Sequence, residues 1–141
     1  MIYILEDNDD RVLQFRAMAA AIAPELPVRF WRNAHEMIID LLDGLQRASL
    51  ISLDHDLNRL TGDADDPGTG YDVAKLLEEL IPCCPIIIHT SNGERGTWME
   101  GALSRASWQF DRVYPFGDDW IEKQWAPLVR LRLGRKDPPT A

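Results

Sequence analysis

Short apolar runs that stop abruptly at polar residues constrain this fold more than any other feature of the sequence. Residues 2–5, 50–53 and 85–88 are apolar apart from one serine, and each run leads directly into acidic, histidine or hydroxyl side chains. Continuous apolar runs of this length are typical of parallel strands that are covered on both faces. Residues 28–31 and 112–114 are predicted to be two further strands of the same sheet.

Between the runs, apolar residues recur at helical spacing. The first predicted helix is capped by Asp9 or Asp10 and ends before Pro24, and the second is capped by Asn33 and ends near Gly44. Two more are predicted over residues 71–80 and around residues 98–105. The last starts at Asp118 or Asp119 and is kinked or divided at Pro127. Five β-α units of this kind predict an α/β fold, a doubly wound five-stranded parallel sheet with helices on both faces.

Length and charge limit the function classes. The 141 residues suit one domain, predicted over residues 1–133, followed by a flexible tail over residues 134–141. A net charge of −8 disfavours broad nucleic-acid binding, but it permits binding of a single nucleotide or an RNA end. No apolar run approaches the roughly 18 residues of a membrane span, and the acidic start does not resemble a signal peptide. The adjacent Cys83 and Cys84 are interpreted as packed thiols in a reducing, cytoplasmic environment.

In sheets of this kind, ligands bind at the carboxyl ends of the strands, where the polar clusters lie. Glu6, Asp7, Asp54 and Asp56 are therefore candidate ligands of Mg²⁺ or Mn²⁺, because hard cations prefer oxygen donors. The alternative is that these carboxylates only cap a helix and form hydrogen bonds in turns.

The sequence resembles a response-regulator receiver over roughly residues 2–130. Leu5-Glu6-Asp7 matches the acidic pair, Asp54 the phosphoacceptor, Thr90 the switch hydroxyl, and Tyr114-Pro115-Phe116 lies where receivers have Lys-Pro-Phe. Tyr114 thus replaces a lysine, and His55 and His89 occupy positions that are usually apolar. The motifs Leu53-Asp54-His55-Asp56-Leu57, Gly68-Thr69-Gly70-Tyr71-Asp72 and Ile88-His89-Thr90-Ser91-Asn92 are similar to the divergent cyclic-phosphate-processing receiver family. That resemblance implies a flavodoxin-like fold and action on a cyclic phosphate.

The histidines fit such chemistry, because imidazole titrates near neutral pH and serves as acid or base. His55 and His89 are candidate proton-transfer groups beside Asp54, while Thr90, Ser91 and Asn92 are candidate donors to phosphate oxygens. Regular alternation predicts Asp54, Asp56 and Thr90 on one face of the sheet, with the histidines meeting each other on the opposite face. Each histidine could equally be a hydrogen-bonded structural residue.

The leading hypothesis is a metal-assisted phosphoesterase that acts on a cyclic phosphate, either a cyclic nucleotide or a cyclic-phosphate RNA end. The alternatives are a signalling receiver phosphorylated on Asp54 and a non-catalytic module that binds an unidentified protein. Three weaker predictions concern the rim of the site. Residues 58–70 could form a lid, Gly68-Thr69-Gly70 could offer N–H groups to phosphate, and Trp98 and Trp120 could stack on a base.

Overall fold

A computed structural model describes residues 1–58 and 65–137 of the chain. Five parallel strands form one sheet in the order β2-β1-β3-β4-β5. The strands are β1 (Ile2–Leu5), β2 (Val28–Trp31), β3 (Leu50–Leu53), β4 (Ile86–His89) and β5 (Phe110–Val113). The predicted α/β class and sheet are confirmed, although β4 extends to His89 and β5 begins earlier than expected.

The helices are α1 (Asp9–Ile22), α2 (Ala34–Gly44), α3 (Gly70–Glu78), α4 (Gly93–Arg105) and α5 (Ala126–Leu133). A 3-10 turn (Leu45–Arg47) follows α2, and one π-helical turn (Ile121–Trp125) precedes α5. Asn8, rather than Asp9 or Asp10, caps α1, since its side chain accepts a hydrogen bond from the N–H of Arg11. Helix α4 begins at Gly93, before the predicted start, because Asn92 caps it in the same way. The last helix changes from π-helical to α-helical geometry between Trp125 and Ala126, just before the predicted position, and Pro127 lies in the first turn of α5.

Two apolar cores cover the two faces of the sheet. One core packs α2, α3 and α4 against β-strand residues such as Tyr3, Leu5 and Leu53. The other packs α1, the π-helical turn and α5 against Ile2, Ile4 and other strand residues. Within the ranges that the structure describes, no helix is long and apolar enough to cross a membrane.

The strand register decides which polar residues share a face. Leu5 pairs with Leu53, and Leu53 pairs with Ile88. The residues that follow these three are Glu6, Asp54 and His89. They therefore form one row, on the face of the sheet that is covered by α1 and α5. The prediction that His89 lies on the face opposite Asp54 is wrong, because β4 is offset by one residue from the assumed alignment.

Candidate functional site

The row formed by Glu6, Asp54 and His89 is a buried cluster at the carboxyl ends of β1, β3 and β4. Glu6 and His89 are fully buried, and Asp54 is 6% exposed. One potential ligand atom from each residue lies within 4.8 Å of the other two. The structure therefore brings together two of the four predicted metal-ligating carboxylates and adds a histidine to them.

Backbone hydrogen bonds hold Glu6 in place. Its Oε2 accepts hydrogen bonds from the N–H groups of Asp7 at 3.0 Å and Asn8 at 3.3 Å, where the chain turns into α1. Its Oε1 points the other way, 3.4 Å from Nε2 of His89 and 3.6 Å from a guanidinium nitrogen of Arg11. Among the described residues, neither Glu6 Oε1 nor His89 Nε2 has a hydrogen-bond partner. Two buried polar atoms thus face each other at a distance longer than a hydrogen bond between charged groups.

The imidazole of His89 is fixed from its other side. Nδ1 lies 2.7 Å from Oγ of Ser52, and that oxygen accepts a hydrogen bond from the indole N–H of Trp125 at 3.0 Å. The ring also stacks on Trp120, with centroids 5.8 Å apart, and packs against Phe15. These contacts leave the ring one orientation, in which Nε2 is directed at Glu6.

Burial makes the two carboxyl groups of the cluster behave differently. Desolvation raises the pKa of Asp54 to about 9, and the nearby negative charge of Glu6 contributes to this rise. Burial also disfavours ionisation of Glu6, but His89, Arg11 and the N–H of Asn8 more than offset this effect and lower its pKa to about 2. Near neutral pH the pair therefore carries one proton, unless a cation displaces it.

His55 belongs to a second arrangement. It is 5% exposed, and its Nδ1 lies 3.0 Å from Oδ1 of Asp56, whose side chain is 67% exposed. The backbone N–H of His55 donates to Oδ1 of Asp54 at 2.7 Å, which links the two groups. His55 pairs with Asp56 and His89 contacts Glu6, so the predicted meeting of the two histidines is not observed.

The other predicted site residues surround this cluster. Asp7 accepts a hydrogen bond from the N–H of Asn58. Thr90 is buried, and its Oγ1 accepts the N–H of Asn92 at 3.1 Å. Asn92 also donates to Asp56 across a long 3.4 Å contact, and Ser91 is exposed. Asp7 and Asp56 therefore lie outside the buried cluster, and both already interact with neighbouring groups.

The glycine motif does not present free N–H groups to a ligand. The N–H groups of Gly68, Thr69 and Gly70 donate to Asp66, to Asp72 and to the carbonyl of His55. Gly70 instead allows close packing, because a Cβ there would lie 1.8 Å from the carbonyl oxygen of Asp54. The prediction of a phosphate-binding glycine loop is wrong, and the motif positions the end of β3.

Among the aromatic residues around the site, Trp120 differs from expectation. Trp120 is 3% exposed and packs on His89, so it is not available to stack on a base. Trp98 is 39% exposed, and the guanidinium of Arg95 lies 3.8 Å from its ring centroid. Tyr114, at the position of the receiver lysine, is half exposed and stacks on Phe116. Part of the predicted lid, residues 59–64, and the end of the predicted tail, residues 138–141, lie outside the described residues.

Sequence reasoning missed Ser52, Trp125 and Arg11. Ser52 carried a usable signal, since it is the one polar residue in the run of β3 and lies two positions before Asp54, on the same face. Trp125 and Arg11 are brought to the cluster by the π-helical turn and α1. No local pattern connects them with residues in β3 and β4.

Residues 3–105 match the family model of the cyclic-phosphate processing receiver domain. The fold is similar to the signal receiver domain of a putative Luxo repressor protein from Vibrio parahaemolyticus (15% identity, TM-score 0.66, 94% of this chain and 88% of that chain). It is also similar to a response regulator receiver domain from Rhodospirillum rubrum (14% identity, TM-score 0.68, 99% of this chain and 99% of that chain). A third similar structure is the Mn²⁺-bound form of the response regulator Rcp1 (12% identity, TM-score 0.69, 99% of this chain and 98% of that chain). No curated protein matches the chain. At these identities the solved structures show the fold alone.

Proposed function

Because the chain belongs to the cyclic-phosphate-processing receiver family, we propose that it is a metal-assisted phosphoesterase that opens a cyclic phosphate. The observation that carries the proposal is the buried cluster of Glu6, Asp54 and His89, in which two polar atoms have no hydrogen-bond partner among the described residues. Leaving such atoms unsatisfied is costly, so they mark a place where a bound group belongs.

The donor set fits a divalent cation. Glu6 and Asp54 supply carboxylate oxygens on neighbouring strands, and a cation between them offsets the repulsion that otherwise helps to keep Asp54 protonated. A receiver of the same fold has been solved with Mn²⁺ bound. When bound, a divalent cation would polarise a phosphoryl oxygen and stabilise the negative charge that develops there.

Proton transfer is assigned to His55. Because Asp56 holds its Nδ1 at 3.0 Å, Nε2 is left to exchange a proton with substrate. As water adds to phosphorus, His55 takes a proton from it. As the ring P–O bond breaks, the protonated His55 passes that proton to the departing sugar oxygen, so the proton is conserved and His55 returns to its neutral form. His55 and His89 then have different duties, because His89 faces the buried carboxylates.

The start of α4 is the proposed phosphate-binding edge. Ser91 is exposed there, and the hydrogen bond that the oxygen of Thr90 accepts from the N–H of Asn92 does not use the hydroxyl hydrogen of Thr90. These groups, with the side-chain amide of Asn92, would donate hydrogen bonds to phosphate oxygens. The negative net charge favours a small substrate or a single RNA end over a long nucleic acid.

A signalling receiver is the second candidate, because the fold is that of receiver domains. Two observations weigh against phosphorylation of Asp54. The lysine of receivers is replaced by Tyr114. In the chain without a bound cation, burial raises the pKa of Asp54 to about 9, so the nucleophilic carboxylate is scarce near neutral pH.

Hydrolysis of a 2′,3′-cyclic nucleotide, or of a cyclic-ended RNA, with Mg²⁺ or Mn²⁺ tests the proposal. We expect His55→Ala to lower the rate about 10²–10⁴-fold, the usual contribution of one proton-transfer group. His35→Ala is the matched control, since His35 is exposed on α2. A folded His55→Ala variant with full activity would refute the assignment of His55, and a wild-type chain inactive on both substrates would refute the proposed reaction.

A further inference from the structure

His89 gives the cluster a ligand that a magnesium site does not need. Mg²⁺ is bound through oxygen donors and retained waters, whereas imidazole suits Zn²⁺, Fe²⁺ and related ions. Its Nε2 is fully buried, has no hydrogen-bond partner among the described residues and points at Glu6. The donor set is therefore two carboxylates and one imidazole.

The contact of His89 with Ser52 has the form of a hydrogen bond that orients a metal ligand. Histidines bound to metals almost always donate their other ring N–H to a nearby oxygen. Ser52 Oγ lies 2.7 Å from Nδ1 and can accept that proton while it also accepts the indole N–H of Trp125, because a hydroxyl oxygen has two lone pairs. In this arrangement Nε2 can present a lone pair to an ion that binds between His89 and Glu6.

The distance between the two unsatisfied atoms also fits an ion. Nε2 of His89 and Oε1 of Glu6 are 3.4 Å apart, too long for the charge-assisted hydrogen bond that a simple structural pair would form. Two ligands that each lie about 2.1 Å from one tetrahedral ion are roughly 3.4 Å from each other.

Arg11 lies between the cluster and a groove on the surface. A groove of about 570 Å³ runs between α1 and residues 117–120, and Arg11 and Trp120 line it. The side chain of Arg11 is 31% exposed, and its guanidinium contacts both Glu6 and the ring of Trp120. Arg11 therefore separates this groove from Glu6.

We propose that His89 is a metal ligand together with Glu6 and Asp54, and that the site selects a first-row transition ion such as Zn²⁺ over Mg²⁺. This inference rests on the site of the proposed function. It extends that function by naming the class of cation. It also assigns His89 to metal binding and not to proton transfer.

Binding of Zn²⁺ and of Mg²⁺, measured by calorimetry on the full chain after chelator treatment, tests the selectivity. We expect wild type to bind Zn²⁺ at least about 100-fold more tightly than Mg²⁺, since ligand type sets the preference between these ions. His89→Gln should lose at least about tenfold in Zn²⁺ affinity and change little toward Mg²⁺, whereas the exposed control His35→Gln should match wild type. Equal loss of both ions in a folded His89→Gln protein, or no change for either ion, would overturn the assignment.

Two measurements do not depend on the folding of the His89→Gln variant. Electron spin-echo spectra of the Mn²⁺-loaded wild-type chain should show modulation from one imidazole nitrogen, and its absence would overturn the inference. Ser52→Ala keeps His89 but removes the acceptor of its Nδ1 proton, so Zn²⁺ affinity should fall about 10–100-fold. If the chain binds Mg²⁺ and Mn²⁺ but the Mn²⁺ spectra show no nitrogen modulation, only the assignment of His89 as a ligand is refuted, and the proposed function stands. Absence of binding by any of these ions would refute the metal assistance of the proposed function as well.

Discussion

Replacing Asp54 with asparagine should stabilise the metal-free chain at and above neutral pH. The introduced side chain would have the shape of the protonated carboxyl group, and its amide oxygen can still accept the N–H of His55 that Oδ1 accepts now. The substitution removes the need to keep a buried carboxyl group protonated when the surrounding solution favours the ionised form.

The expected gain follows from the pKa of Asp54, which burial and the charge of Glu6 raise from 3.8 to about 9. A raised acid pKa means that the folded state binds more protons than the unfolded state between these two values. The contribution of Asp54 to the unfolding free energy is therefore most favourable below about pH 4 and becomes less favourable as pH rises toward 9. At pH 7, which is about 3 units above the ordinary pKa of an aspartate, keeping Asp54 protonated in the folded chain costs about 4 kcal/mol of stability, at roughly 1.36 kcal/mol per unit.

Urea unfolding of wild type and Asp54→Asn, each in chelator at several pH values between 4 and 9, measures this effect. We expect the variant to be about 2–4 kcal/mol more stable at pH 7, with the difference growing up to about pH 9 and vanishing near pH 4. Asp56→Asn is the matched control, because the side chain of Asp56 is 67% exposed. If Asp54→Asn is no more stable than wild type at pH 8, Asp54 is ionised in the folded chain and the reasoning fails.

Three further expectations concern the same edge of the sheet. Saturating Mn²⁺ should raise the melting temperature of wild type by several degrees but not that of Asp54→Ala, because an ion at roughly 100 times its Kd adds about 2.7 kcal/mol to the unfolding free energy. An equal rise in both proteins would show that the ion does not bind at Asp54. A small phosphodonor with Mg²⁺ should leave Asp54 largely unlabelled in intact mass spectra, since Tyr114 replaces the receiver lysine; stoichiometric labelling would favour the signalling function. Gly70→Ala should destabilise the chain by about 3 kcal/mol or more in urea unfolding, because its Cβ would clash with the carbonyl oxygen of Asp54. Gly93→Ala, whose Cβ would meet nothing within 4 Å, should be near neutral, and similar losses in both variants would contradict the packing argument.

Helix starts show the limit of local information. Both Asn33 and Asn92 precede helices and cap them through the side-chain oxygen, yet the sequence pattern identifies only Asn33 as a cap. Asn92 follows a strand-end polar cluster, where a side chain that caps a helix and one that binds a ligand have the same appearance in sequence. The cap at Asn8 is missed for a similar reason, since Asp9 and Asp10 are equally good caps by residue type.

The sequence by itself determined the α/β class, the number of strands and the edge of the sheet where the polar residues gather. Apolar runs such as residues 2–5, and the helical spacing of apolar residues between these runs, carry that information locally. The reason is that burial on one or both faces of an element determines which of its positions are apolar. The same patterns led to Glu6 and Asp54 as candidate cation ligands.

Only the tertiary structure decided that His89 lies beside Glu6 and Asp54 while His55 pairs with Asp56. That separation depends on the alignment of β3 with β4, in which Leu53 pairs with Ile88. A shift of one residue between strands moves every side chain to the other face, and residues distant in sequence set the alignment through hydrogen bonds and core packing. The same holds for the pKa of Asp54, since its burial and the effect of the charge on Glu6 arise only when the strands are paired.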